Sequence, residues 1–223
     1  MVKLTLQEQQ WGGDLGNEYT ADIVKNPLST EGTDKLYVKY YGISRTKLNK
    51  EFLGKLDRSI KILEVGCNVG VQFLYLQKMG FKNLYGVEIN PKVIERGKSI
   101  AKNVSVVQGS ALDIPFKDNY FDLVFTSGVL IHISPKDIKK ALKEIHRCSK
   151  KYIFGFEYFD EKFTEILNWS RRKRKFAWKA NYPKLYLDSF KDLKLVKEKK
   201  VKYLAENNTD VMYLLKKNGK RKS

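Results

Sequence analysis

Histidine, cysteine and proline are scarce in this chain, acids are outnumbered, and no long apolar run occurs. Two cysteines in 223 residues, Cys67 and Cys148, are too few for a disulfide framework. Neither has the CxxC or histidine spacing of a metal centre, so no metal is expected and each reads as a small buried hydrophobe. No apolar stretch approaches the roughly 20 residues that span a bilayer. The opening M-V-K-L-T-L-Q-E-Q-Q lacks the apolar core of a signal peptide. These absences lead us to expect a cytoplasmic chain without a membrane partner. The shortage of acids, 25 against 43 Lys and Arg, leaves a net charge of +18 and favours phosphate-bearing or otherwise anionic partners. The lysines are spread through every segment, however, as a general compositional bias would spread them. Hydrophobic residues, at 42%, suffice for a folded domain with a real core.

What is present is alternation. Apolar runs at 62–65, 83–87, 104–107, 121–126 and 151–156 read as strands. Helical patterns fall at 70–79, at 91–102 with Pro91 in a permitted first-turn position, and at 135–148 after Ser134. Such alternation implies a parallel sheet with helices on both faces. The runs 193–204 and 211–216, separated by a polar turn, read as a closing antiparallel hairpin. The expected fold is α/β: a Rossmann-like, doubly wound, mostly parallel seven-stranded sheet with a C-terminal antiparallel hairpin. Residues 1–58 read as an N-terminal lid or helical cap, 59–217 as the main domain with a basic insertion at 160–190, and 218–223 as a tail. Within the cap, Gly12, Gly13 and Gly16 predict no regular helix before about Asp34, with one or two amphipathic helices from there to Leu56. A further helix is expected from about Asp160 to Ser170.

The organising stretch is Lys61 to Gly70, K-I-L-E-V-G-C-N-V-G. A strand, a glycine turn and a helix start make a nucleotide-type pocket, since glycines admit a ligand close to the backbone and the helix start offers unpaired N–H groups. Glu88, ending the next strand, puts a carboxylate where it can accept bonds from both hydroxyls of a ribose. A nicotinamide dinucleotide fingerprint needs glycine where Asn68 and Val71 stand, which weakens that alternative, and a P-loop lacks its lysine-serine or lysine-threonine pair.

Four stretches, Glu64 to Gly70, Gly86 to Asn90, Gln108 to Phe116 and Phe121 to Ile133, resemble in order and spacing the motifs of class I S-adenosylmethionine-dependent methyltransferases. The resemblance covers about residues 60 to 157 and implies S-adenosylmethionine as cofactor, with S-adenosylhomocysteine as product. It implies that Glu64, Gly66, Cys67, Asn68 and Gly70 shape the methionine pocket, that Glu88 binds the ribose, and that Ile89 lies against the adenine. Ser110, Ala111 and Leu112 would address the adenine, with Ser110 standing where the family often has an acid; Ser127 and Gly128 would approach the methionine end. His132, Glu157 and Tyr158 are the candidate acceptor and catalytic groups, each with a plainer reading: His132 packed at a helix start, Glu157 an exposed acid, Tyr158 a core aromatic. His146 reads as structural.

A narrower resemblance links Trp11-Gly12-Gly13-Asp14-Leu15-Gly16-Asn17-Glu18-Tyr19 and Glu157-Tyr158 to methylases associated with pseudaminic acid biosynthesis. It implies that Trp11 and Tyr19 form a lid over cofactor or acceptor and that the small-molecule acceptor is an acidic, sialic-acid-like sugar. Competing with it, seven cations between Arg171 and Lys184 interleave with Phe176, Trp178, Tyr182 and Tyr186, a mixture suited to RNA or to a nucleotide-linked sugar. An RNA or protein methyltransferase therefore stays open, as does a module that binds the cofactor without catalysis. The oligomeric state is not written in the sequence.

Overall fold

The computed structural model describes residues 4–25, 28–166 and 177–218. Among the described residues seven strands form a mostly parallel sheet, as expected. The chain divides into two compact units, 1–111 and 112–223.

The first unit opens with four helices: α1 (Leu6–Trp11), α2 (Asp14–Ile23), α3 (Thr30–Tyr41) and α4 (Arg45–Leu53). The expectation of no helix before Asp34 is thus corrected. Thr5 and Glu8 close a reciprocal capping box at the start of α1, whose Leu, Gln and Glu residues favour a helix. Gly12 and Gly13 fall between α1 and α2 rather than inside either. Gly16 does sit inside α2, where a Cβ would lie 2.1 Å from the carbonyl oxygen of Trp11. It is a glycine of close approach, not a helix breaker. From the helices the chain enters β1 (Lys61–Val65), α5 (Val71–Lys78), β2 (Asn83–Glu88), α6 (Pro91–Gly97) and β3 (Ser105–Gln108), the strands pairing in parallel in the order β3-β2-β1. Helix α6 stops well short of 102, because the Gly97 carbonyl already takes the N–H groups of Ile100 and Ala101 in a closing turn.

The second unit contains β4 (Phe121–Ser127), a 3-10 turn (Leu130–His132), α7 (Ile138–Cys148) and β5 (Ser149–Tyr158), with β4 and β5 parallel. Helix α7 begins three residues later than expected, since the backbone N–H groups of Asp137 and Ile138 first close a turn onto the Ser134 carbonyl. Its apolar stripe, Ile138, Ala141, Leu142, Ile145 and Cys148, is buried at helical spacing and packs on β4 and β5. The expected helix over 160–170 is not found in its described part: Thr164–Glu165 (β6) pairs antiparallel with Trp178–Lys179 (β7), while 167–170 lie outside the described residues. After α8 (Tyr182–Ser189) the predicted hairpin is present as β8 (Leu193–Lys202) and β9 (Thr209–Lys217), with β9 antiparallel to β5.

One close approach fastens β9 to β5. Gly155 faces Tyr213 in the register, and a Cβ on residue 155 would lie 2.2 Å from the tyrosine ring. The phenol occupies the space that a side chain on β5 would need. Gly155→Ala is therefore expected to displace the fully buried Tyr213 and to destabilise the protein by about 1–3 kcal/mol, read as a lower urea midpoint with an unchanged m-value.

Candidate active site

In the first unit the glycine turn is left-handed at three of five residues: Gly66 at φ 72°, Asn68 at φ 48° and Gly70 at φ 84°. The backbone N–H groups of Gly66 and Cys67 both donate to the Val87 carbonyl, at 2.7 and 3.1 Å, which pins the turn to the end of β2. Gly70 serves as the N-cap of α5, and among the described residues no side chain caps that helix. A Cβ on Gly70 would lie 2.7 Å from the Ala101 side chain, so bulk is excluded there as well as strained. The result is a turn pinned to β2 that leads directly into the start of α5.

Glu88 sits beside it, 8% exposed. One carboxylate oxygen accepts the Asn68 backbone N–H at 2.9 Å and the other accepts the Asn90 N–H at 3.0 Å. Burial raises its pKa, opposed by those same backbone bonds. Glu64 is 3% exposed, and one of its oxygens has no hydrogen-bond partner among the described residues. Burial pushes the Glu64 carboxyl well above the usual range, the nearby Arg45 guanidinium opposing the shift and Glu88 adding to it. Cys67 is buried, and its thiol is pushed up by that burial and by the two glutamates. The reading of a small buried hydrophobe holds for it, as it does for Cys148.

Two residues of this unit escaped the sequence reading. Arg45, fully buried, donates from Nε to Asn49 Oδ1 at 3.0 Å and from Nη1 to Tyr37 at 3.2 Å. Nothing in a helical arginine pattern announces burial. Asn90 caps α6 through Oδ1, accepting the Lys92 N–H at 3.0 Å. Its Nδ2 donates to the carbonyls of Trp11 and Gly13, both at 3.2 Å, and to Asn17 Oδ1 at 3.0 Å. An Asn-Pro pair after a strand signals the cap but not the second task. The N-terminal helices also reach the motif through Asn68 Nδ2, 2.9 Å from the Thr20 hydroxyl, and through Glu8, which accepts from Ser110 Oγ. Trp11 and Tyr19 meet edge to face, with ring centroids 5.3 Å apart. Ile89, close to Gly12, and the half-buried Ala111 complete the predicted cofactor residues of this unit.

In the second unit Ser127 ends β4, and Gly128 follows at φ 67° with its N–H on the Phe156 carbonyl at 2.9 Å. Leu112 is buried, and His132, 9% exposed, closes the 3-10 turn. Glu157 is not the exposed acid of the plainer reading: it is 1% exposed. One of its oxygens accepts the Val129 N–H at 3.2 Å. Its other oxygen has no partner among the described residues. Burial pushes its pKa up to about 7, opposed by the Thr126 side chain and the backbone of the turn from Val129 to Ile131. The fully buried phenols of Tyr182, Tyr186 and Tyr213 are raised in turn, by burial and then by the Glu157 charge among others. Tyr158 is half-buried rather than a core aromatic, its ring 6.5 Å from that of Tyr203. His146 is structural, bonded to Asp192 and stacked on Phe190. The aromatics Trp178, Tyr182 and Tyr186, read as potential base-stacking groups, are buried, which corrects that reading; Arg171 to Phe176 lie outside the described residues.

Residues 63–152 match the model of a family described as a methyltransferase domain. An uncharacterised methyltransferase of Synechocystis is 33% identical over 40% of this chain and 42% of its own length. Norajmaline N-methyltransferase of Rauvolfia serpentina is 32% identical over 40% of this chain and 32% of its own. The chain thus spans less than half the length of these two curated relatives. In fold, it is similar to 1,6-didemethyltoxoflavin-N1-methyltransferase of Burkholderia thailandensis, solved with S-adenosylhomocysteine, at a TM-score of 0.62 and 14% identity over 98% of this chain and 93% of that one. Residues 63–152 are thus similar to a methyltransferase domain, and the fold is that of S-adenosylmethionine-dependent methyltransferases.

The residues present fit that cofactor. Glu88 has two oriented acceptor oxygens, and the unpartnered buried oxygen of Glu64 suits a cationic ammonium group.

The raised pKa of Glu157 has a stability consequence. An acid whose folded value exceeds its unfolded one keeps a proton that the unfolded chain has released, so stability falls as pH rises between the two. From the ordinary glutamate value of about 4.3 to about 7, the wild type is expected to lose on the order of 1–3 kcal/mol more than Glu157→Gln. Denaturant midpoints measured for both proteins across that range check it.

Proposed function

We propose that the protein transfers a methyl group from S-adenosylmethionine to an oxygen or nitrogen of a small anionic acceptor, an acidic or nucleotide-linked sugar being the favoured class. The observation that carries the reading is Glu88, fixed by the turn backbone on one oxygen and by Asn90 on the other. Two acceptors so held match the spacing of a ribose diol. The cofactor, when bound, supplies a methyl group already activated on a sulfonium. What is left to the chain is orientation and, for a protonated acceptor, removal of a proton.

In this reading Gly66 to Gly70 and Glu64 hold the amino-acid end, Glu88 the ribose, and Ile89, Ser110 and Ala111 the adenine, with Trp11 and Tyr19 covering the pocket. The roles of Leu112, Ser127 and Gly128 in the second unit rest on the motif resemblance. His132 and Tyr158 are the acceptor-side groups, His132 as the base where one is needed. Glu157, almost fully buried, acts as a positioning residue whose carboxylate holds the turn that ends in His132.

The small acceptor is supported by the burial of Trp178, Tyr182 and Tyr186, which removes stacking platforms from an RNA surface. It is supported too by the small-molecule names of relatives, norajmaline and phosphoethanolamine N-methyltransferases among them. An anionic group on the acceptor suits a net charge of +18.

Isothermal titration is expected to show S-adenosylhomocysteine binding that weakens by at least about tenfold in Glu88→Ala; unchanged affinity would remove the assigned role. Radiolabelled methyl transfer into fractionated cell extract is expected to enter the small anionic pool, and label in RNA or protein alone would overturn the acceptor class.

A further inference from the structure

The loop after β3 meets an acid that comes from elsewhere in the chain. Glu8, on the first turn of α1, accepts a hydrogen bond from Ser110 Oγ through one carboxylate oxygen. Its other oxygen accepts the Thr5 backbone N–H at 2.7 Å. The carboxylate is therefore fixed at both ends. Its surroundings are those of the predicted adenine pocket: Gly109, beside Ser110, donates to the Glu88 carbonyl at 3.0 Å, and the Ile89 side chain lies near Gly12 at the end of α1. Asn90, holding the carbonyls of Trp11 and Gly13, keeps α1 in that place.

An adenine presents an exocyclic amine, a donor that an ionised carboxylate accepts better than a neutral hydroxyl does. Residue 110 is a serine, and its hydroxyl is committed as a donor to Glu8. A carboxylate has about four acceptor positions. Thr5 and Ser110 engage one each, which leaves capacity for a ligand amine.

We propose that Glu8 is the adenine-recognising acid of this protein, supplied by α1 to the position where residue 110 has a hydroxyl. The inference rests on the S-adenosylmethionine reading of the pocket. It makes the N-terminal helix part of the binding site and makes base selectivity a property of residue 8. Ser110 orients the carboxylate, and the capping box with Thr5 keeps it from swinging to solvent.

The test separates the ligand role from the capping role. Glutamine serves a capping box as well as glutamate does, so Glu8→Gln keeps α1 folded but turns an amide toward the ligand. The full chain is titrated with S-adenosylhomocysteine and with S-inosylhomocysteine, in which a carbonyl replaces the amine. Wild type is expected to favour the adenine compound by about tenfold or more. In Glu8→Gln the adenine compound should weaken by a similar factor while the inosine compound holds or gains, erasing the preference. Thr5→Ala, which loosens the cap but keeps the acid, should retain the preference. A Glu8→Gln protein that binds both compounds as wild type does, or loses both equally, would overturn the proposal. Wild type binding neither compound would instead remove the cofactor reading beneath it, and the assignment of Glu8 with it.

Discussion

The two hydrogen bonds on the Glu88 carboxylate are the constraint around which the first unit is built. They tie the left-handed turn after β1 to the start of α6 through one buried acid. A carboxylate taken out of water is costly unless backbone donors compensate it, and here two do. The turn is in turn held to β2 by the Val87 carbonyl, so the strand end, the turn and the helix start move as one piece. The neighbouring Glu64 is buried with less compensation. Poorly compensated burial of this kind is what a binding site stores and a structural core avoids.

How far the sequence carried depends on how local each signal was. The turn from Gly66 to Gly70, the strand ending in Glu88 and the closing hairpin were legible because glycine geometry, strand alternation and turn composition act over a few residues. The N-terminal helices were not, because Gly12, Gly13 and Gly16 carry the composition of a loop while the structure uses two as a joint and one for a tight helix crossing. The burial of Arg45 and Glu157 had no sequence signal at all. Charged residues are ordinarily exposed, and what overrides that habit here is partners on a different element: Tyr37 of α3 for the arginine of α4, the turn after β4 for the glutamate of β5.

The positive charge also acquires a structural account that leaves less of it to a binding surface. Among the described residues strand β8 pairs with β9 alone, and it carries Lys194, Lys197, Lys199, Lys200 and Lys202. An edge strand exposes a row of unpaired backbone groups, and lysines along it discourage pairing with a second chain. Lys200 also spans to Glu161 at 3.1 Å and sits over the Phe159 ring. Part of the lysine excess is thus spent on the sheet edge.

Asn90 shows how a position can be fixed more tightly than its local role suggests. Viewed as a helix cap, it is interchangeable with aspartate, which caps as well. Yet the same side chain turns an amide toward the carbonyls of Trp11 and Gly13, groups that need a donor. Aspartate would set a negative charge against two carbonyl dipoles and undo the seating of α1 while the cap itself survived. A substitution that is conservative for α6 is thus radical for the N-terminal helices, and tolerance at residue 90 is a property of the joint it makes and not of the helix it begins.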